Sequence, residues 1–277
     1  MIPRWSILPA ALALVSGSLL MAATGSASAA AVTPHPAAIA SAHSHPGSNV
    51  NPGGLIQKHP GALVTRHGKY YQEESDNWSG YATTGGTDAF NSVSANWTEP
   101  TANCDDSGTE YAAFWVGLDG FNSDSVEQTG TDSDCDGGTP DYYGWYEMYP
   151  AGPVYFNNPV YPGDSMSASV VFTGSETYTL TLTDNTQGWT QQEVENEAGL
   201  DNSSAEVITE APSTEDGPLP LADFGTVDYA TATVNGQYIG ALDPTQIIMV
   251  GQSGDQLDTT SSLDNYGDFS NTWEAES

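Results

Sequence analysis

The chain has 277 residues and a formal net charge of −32, from four Lys or Arg, 36 Asp or Glu and five His counted as neutral. Every basic side chain (Arg4, Lys58, Arg66, Lys69) and every histidine (His35, His43, His45, His59, His67) precedes Tyr70, and every acidic one follows it. From Tyr70 onward there is thus no Ser-His-Asp triad, Cys-His pair, Schiff-base lysine or histidine-bound zinc. Nothing there can neutralise phosphates either, which argues against nucleic acid as a partner.

Such acidity suits a halophilic or simply acidic surface, and it suits secretion into acid as well. Carboxylates stop repelling one another as pH falls toward about 4, and no histidine or lysine is left to gain charge.

Residues 1–29 have the parts of a signal peptide. Arg4 is followed by an apolar run from Ile7 to Met21, then by small residues ending Ala27-Ser28-Ala29. The run is too short and too interrupted for a membrane anchor, so a secreted protein with no membrane association is expected. Residues 30–69 are rich in Ala, Pro, His, Gly and Ser and lack a periodic apolar pattern. They read as a flexible linker or, more sharply, as a propeptide carrying the basic charge the acidic part lacks. On the second reading the propeptide is a partner of its own domain. Attraction should grow as histidines charge near pH 6.5 and fail once carboxylates neutralise below about pH 4.3.

From Tyr70 to Ser277 the chain breaks into short β-rich runs, among them NWSGYATT, YAAFWVGL, TYTLTLTDN and TQIIMVGQ, split by Gly, Asn, Asp and Pro. Most alternate at period two. In TYTLTLTDN the threonines 177, 179, 181 and 183 face one way, and Tyr178, Leu180 and Leu182 the other. The expectation is an all-β, antiparallel double-sheet β-sandwich of the concanavalin A-like or jelly-roll type over residues 70–277, working as a monomer. Gln192–Leu200 has a faintly helical look, and the polar tail after Gly254 reads as a loose end apart from Trp273. Cys104 and Cys135 sit in Asp-rich stretches, and in a secreted chain they are expected to form a disulfide.

The centre of the chain, Thr109 to Pro150, reads as a buried strand, an acidic loop, a short segment with Gln128, a second acidic loop and an aromatic strand. Three of its runs are W-V-G-L-D-G (Trp115–Gly120), E-Q-T-G-T-D (Glu127–Asp132) and W-Y-E-M-Y-P (Trp145–Pro150). With Asn77-Trp78-Ser79-Gly80-Tyr81-Ala82, Ala205-Glu206-Val207-Ile208-Thr209-Glu210 and Ala222-Asp223-Phe224-Gly225, they resemble, in order, the motifs of the glutamic peptidases, or eqolisins. The resemblance implies a double antiparallel sandwich with a Gln/Glu catalytic dyad, here Gln128 and Glu206. Around the cleft it implies Trp115, Asp119, Asp132, Trp145 and Glu147 as substrate-binding positions. Two positions depart from the family pattern: Val207 and Met148 stand where tryptophans are usual, which alters the expected pockets.

Read without the family, the residues support the same chemistry. Hydrolysis of a peptide bond in acid needs a base still partly ionised there, and a glutamate near pKa 4.3 qualifies. An oxyanion needs a donor, and with no cation available a glutamine amide can serve. Glu206 and Glu210 share one strand face about 13 Å apart, so one water cannot use both; Glu210 is the fallback. Asp132-Ser133-Asp134-Cys135-Asp136-Gly137 resembles the start of a calcium loop, but its twelfth position is Tyr143 where a bidentate glutamate is required. No metal or cofactor is therefore expected, and polypeptides are the expected substrates. The competing readings are a glycoside hydrolase using Glu147 and Glu206, and a carbohydrate-binding module whose tryptophans stack on sugars.

Overall fold

The computed structural model describes residues 50–60, 65–67, 70–105 and 108–277. The signal peptide expected over residues 1–29 lies outside them. The principal strands are β1 (Tyr70–Ser75), β2 (Trp78–Thr84), β3 (Ser92–Thr98), β4 (Ala113–Asp119), β5 (Val126–Asp136), β6 (Thr139–Tyr149), β7 (Ser165–Gly174) and β8 (Thr177–Asp184). They are followed by β9 (Trp189–Asn196), β10 (Ser204–Glu210), β11 (Thr226–Val234), β12 (Thr245–Val250), β13 (Gln256–Thr260) and β14 (Phe269–Trp273).

Pairing sets them in two layers. One runs β6-β5-β4-β10-β2-β12-β1, antiparallel except for the parallel β12–β1 pair. The other runs β9-β8-β7-β3-β11-β14-β13, antiparallel throughout. The β12–β13 pair joins them at one edge. Period-two alternation supplies each layer with one apolar face. Phe114, Val116, Leu118 and Val207 from the first layer meet Val93, Trp97, Val170, Leu180, Leu182 and Tyr229 from the second in one buried core. The sandwich read from the sequence is therefore present.

The first layer has a second apolar face on its far side. There Trp78, Trp115, Val126, Tyr143, Trp145 and Ile208 form a separate cluster. This explains why β4, β5 and β10 are buried along nearly their whole length instead of alternating. It also marks the face on which the candidate site is built.

Three expectations are corrected. Gln192–Leu200 is no helix: residues up to Asn196 belong to β9, an edge strand paired with β8 from Thr177↔Asn196 to Asp184↔Trp189. Burial alternates at period two, with Gln191, Glu193 and Glu195 half-buried between exposed Thr190, Gln192 and Val194, so hairpin pairing overrides the helix preference of the Gln and Glu residues. The tail beyond Gly254 is not loose, because β13 and β14 lie within it and Trp273 Nε1 donates to the Leu221 carbonyl at 3.2 Å. Residues 132–136 are not a loop either. They continue β5 in pairing with β6, which rules out a calcium-loop conformation there. Cys104 and Cys135 form the expected disulfide, tying the end of β5 to the chain before β4.

Candidate active site

Strand register puts three rows of side chains on the outer face of the first layer. Glu206–Gly117–Gln128–Glu147 is one, Ile208–Trp115–Gly130–Trp145 the next and Glu210–Ala113–Asp132–Tyr143 the third. The glycines are spatially required. A Cβ on Gly130 would sit 2.6 Å from Trp115 Cβ, so this bare position is what lets the indole wall form.

Gln128 lies mid-strand in β5, fully buried, and its Nε2 donates to Glu147 Oε2 at 2.8 Å. Gln128 Oε1 and Glu147 Oε1 accept no hydrogen bond. The neighbouring row is held by carboxylates. Asp132 accepts from Trp145 Nε1 at 2.6 Å and shares the Tyr143 hydroxyl, at 3.0 Å, with Asp134 at 2.5 Å. One phenolic hydrogen cannot serve two carboxylates. Burial pushes Asp134 up to about 8 and Asp132 well above its usual range, which favours a proton on the pair.

The two glutamates of β10 differ in surroundings. Glu210 is a hub: Asn77 Nδ2 reaches its Oε1 at 3.0 Å, and Trp115 Nε1 its Oε2 at 3.0 Å. The Gly54 amide adds a third donor to Oε2 at 3.2 Å. Burial raises its pKa well above the carboxylate range, the donors oppose the shift, and the nearby Glu147 carboxyl adds to it. Glu206 is equally buried and also raised by burial, but neither of its oxygens has a hydrogen-bond partner. The Ser204 hydroxyl lies close enough to ease its charge without reaching bonding geometry, and the carboxyls it feels are Asp119 and Glu127.

A stretch of backbone from the supposed linker crosses this face. Pro52, Gly53 and Gly54 are buried, and a Cβ built on Gly53 would lie 2.6 Å from Gln128 Cδ. Leu55 and Ile56 pack against the tryptophan cluster. The Gln57 amide donates to Asn77 Oδ1 at 2.7 Å, and Asn77 Nδ2 to the Leu55 carbonyl at 3.1 Å. A peptide thus lies on Gln128 and Glu210 together.

A family model described as the Peptidase A4 family matches residues 76–273. The chain belongs to the Peptidase A4 family. Aspergillopepsin-2 of Aspergillus niger is 26% identical over 224 residues, covering 72% of this chain and 78% of that one. Scytalido-glutamic peptidase, solved with a peptide-based transition-state analogue, superposes with a TM-score of 0.61 at 24% identity, over 72% of this chain and 98% of that one. The aspergilloglutamic peptidase of Aspergillus niger gives 0.54 at 29% identity, over 60% and 99%. The protein is accordingly a peptidase of the glutamic, eqolisin type, acting on polypeptides.

Within this A4 peptidase the residues singled out by sequence divide by contact. Trp115 touches Glu210 directly, and Glu147 holds Gln128. Trp145 and Asp132 form an inner pair in the wall. Asp119 stands further off. It ends β4 at a φ of 67° and accepts from the Asn202 amide at 2.7 Å and the Ser203 amide at 2.8 Å, fixing the turn into β10. Sequence reasoning missed the part played by Asn77, although the NWSGYA motif contains it, and missed Tyr143 and the Gly53-Gly54 pair. Two glycines after a proline read as a turn, so nothing local marked them as cleft residues.

Proposed function

We propose that this peptidase is secreted and hydrolyses peptide bonds in acid with Gln128 and Glu210 as its catalytic dyad. The carrying observation is the peptide backbone laid across both residues, with Gly53 against the Gln128 amide and Gly54 donating to Glu210. Glu206 shares the strand face but meets no such segment, which is why the fallback glutamate replaces it in this reading.

In the reaction, the Glu210 carboxylate accepts a proton from a water, and the resulting hydroxide oxygen bonds to the scissile carbonyl carbon. The carbonyl π-pair moves to oxygen, where the Gln128 NH₂ donates to the oxyanion. Protonated Glu210 then returns its proton to the amide nitrogen. The C–N bond breaks as the oxyanion collapses, leaving an acid and an amine. Glu147 keeps the Gln128 amide turned for this task, and Trp115 with Asn77 keeps the Glu210 carboxyl in place. Secretion is supported by the N-terminal sequence and by the Cys104–Cys135 disulfide, which an oxidising compartment favours. The protein acts as a monomer without cofactor.

The rival glycosidase pair fails on distance. Glu147 and Glu206 sit at opposite ends of one row, three strand spacings or about 14 Å apart, beyond the roughly 5–9.5 Å that glycosidase carboxyls span. The sugar-platform reading is disfavoured by the Peptidase A4 family match over residues 76–273. The test is hydrolysis of a denatured protein across the pH range by wild type, Glu210→Gln, Glu206→Gln and Gln128→Ala. Loss with Glu210→Gln and Gln128→Ala and survival with Glu206→Gln is expected; the opposite split between the glutamates restores Glu206 as the base.

A further inference from the structure

We propose that the outer face of the second layer, across the sandwich from the catalytic face, is a binding surface for neutral polysaccharide. Its centre is a cavity of about 640 Å³ lined by Thr231, Thr233, Gln237, Tyr238, Ala241 and Tyr266, with Gly236 at its rim. Tyr238 is 48% exposed and Tyr266 55%. Five large hydrophobic side chains are exposed to this degree among the described residues, and with Val194 of β9 this face holds three of them.

Strand register extends the cavity into two rows of uncharged side chains. Tyr238–Thr233–Ser94–Ser169–Thr181–Gln192 is the longer, running through β11, β3, β7 and β8 to β9. Five strand spacings make it about 24 Å long. Asn96–Ser167–Thr183–Thr190 lies beside it, and Asn96 Nδ2 donates to Thr231 Oγ1 at its head. Hydrogen bonds tie the side chains to one another. The Ser94 and Thr233 hydroxyls lie 2.8 Å apart, Ser167 Oγ donates to Asn96 Oδ1 at 2.6 Å, and the Thr183 and Thr190 hydroxyls lie 3.0 Å apart. The chain has 36 acidic side chains, yet neither row carries one.

The cavity is built on a strained, interlocked backbone. Thr231 sits at a φ of 54° where β11 shifts register against β3, a conformation that is costly for a β-branched residue. Its amide donates to Asp268 Oδ1 at 2.8 Å, and Asn265 Nδ2 to Asp268 Oδ2 at 3.1 Å, which fixes the turn carrying Tyr266. A Cβ on Gly267 would lie 2.6 Å from Tyr238 Cδ1, so the ring rests directly against a bare glycine. The Gly240 amide donates to the Tyr266 carbonyl at 2.8 Å and locks the two tyrosine turns together. Strain of this kind persists where a binding site requires it, and a platform already in place loses little freedom when a ligand settles on it.

The chemistry of the face selects the ligand. A pyranose ring has an apolar C–H face and a rim of hydroxyls. The tyrosine rings suit the first, and rows of hydroxyl and amide groups, which both donate and accept, suit the second. There is no cation in the rows to hold an anionic ligand and no carboxylate to hold a basic one. A protein partner needs a broad apolar centre, whereas the rows between Tyr238 and Val194 are polar. Because cleft and platform lie on opposite faces, a bound polysaccharide leaves Gln128 and Glu210 uncovered. The inference therefore stands whichever glutamate is the base.

The experiment mixes full-length protein with insoluble cellulose, chitin and β-1,3-glucan and measures what stays in solution. Wild type should be depleted by at least one of the three, equally in low and high salt, because no charge takes part. Tyr238→Ala and Tyr266→Ala should each weaken binding by about tenfold, the size of one lost ring contact. Tyr238→Phe should keep it, and Thr181→Asp, which sets a carboxylate in the middle of the row, should weaken it. All four variants should degrade a soluble denatured protein at the wild-type rate and keep the wild-type circular dichroism. Failure of all three polysaccharides to deplete wild type would overturn the proposal. So would binding that both tyrosine-to-alanine variants retain, or binding that high salt abolishes. Sedimentation that shows a wild-type dimer dissolved by Thr181→Asp, with no polysaccharide bound, would assign the face to a second copy of the chain instead.

Discussion

Gln128 and Glu147 face each other across adjacent strands, joined by a 2.8 Å bond from the glutamine amide to the glutamate carboxyl. The bond uses one of the two N–H groups of the amide and leaves the second available as a donor. On the proposed mechanism Glu147 is a positioning residue, and its loss should be felt in turnover. Glu147→Ala is expected to lower kcat by about 10–100-fold with little change in KM, as misplacement of a reacting group does. Glu147→Gln, which keeps an acceptor oxygen, should recover most of the rate. Steady-state kinetics on a fluorogenic peptide separate the two, and a pure KM effect would count against this role.

For the dyad the expected sizes are larger. Glu210→Gln removes the proposed base and should cost roughly 10²–10⁴ in kcat. Glu206→Gln should keep most of the activity, because no reacting group touches that carboxyl in the structure. Circular dichroism should show both variants folded as β-proteins, so that the difference is read as chemistry.

The buried carboxyls set the pH dependence of stability. Burial pushes Glu99 up to about 7, Glu127 to about 9, Asp134 to about 8 and Asp258 to about 8. In each the folded pKa lies above the unfolded value near 4, so the folded state binds the extra proton. Their stabilising contribution is complete below about pH 4 and is lost as pH rises through the folded values, from about pH 5 to about 9. Calorimetry should find the highest Tm in acid and a steady decline toward alkaline pH. Asp258→Asn, at a group that Ser79 and Asn271 contact, should flatten the decline. A Tm that climbs with pH would mean these groups are ionised in the fold.

Reduction of Cys104–Cys135 should weaken the fold without touching the dyad. The bridge closes a loop with a sequence separation of 31, for which chain entropy predicts about 3–4 kcal/mol. Cys104→Ser with Cys135→Ser should lower Tm while leaving kcat near wild type at temperatures where the variant is folded.

Inhibitors offer a quick check on the catalytic class. Residues 70–277 hold no histidine or lysine to activate a serine or cysteine. Phenylmethylsulfonyl fluoride, EDTA and pepstatin should each leave proteolysis intact. Strong loss with EDTA would point to a metal and away from the amide–carboxyl chemistry.

The sequence by itself determined the fold class and the inventory of chemistry. Period-two alternation, as in Thr177–Asp184, is a local property that survives folding, and no tertiary contact can add a histidine to a chain segment that has none. Order along the chain also carried the Gln128 and Glu147 motifs. The choice between Glu206 and Glu210 was different. Both lie on one face of one strand, so alternation treats them alike, and only the neighbours that reach across from Asn77 and Trp115 tell them apart. The same holds for Gly53 and Gly54. A stretch with no apolar period reads as a linker, and it became a cleft segment through contacts such as Gly54 to Glu210, 156 residues away in the chain. The helical look of Gln192–Leu200 failed for a related reason: propensity is a weak local preference, and pairing with β8 outweighed it. Local pattern fixes which faces are apolar, whereas desolvation and hydrogen-bond partners, which set the role of each carboxyl, are decided only once distant strands meet.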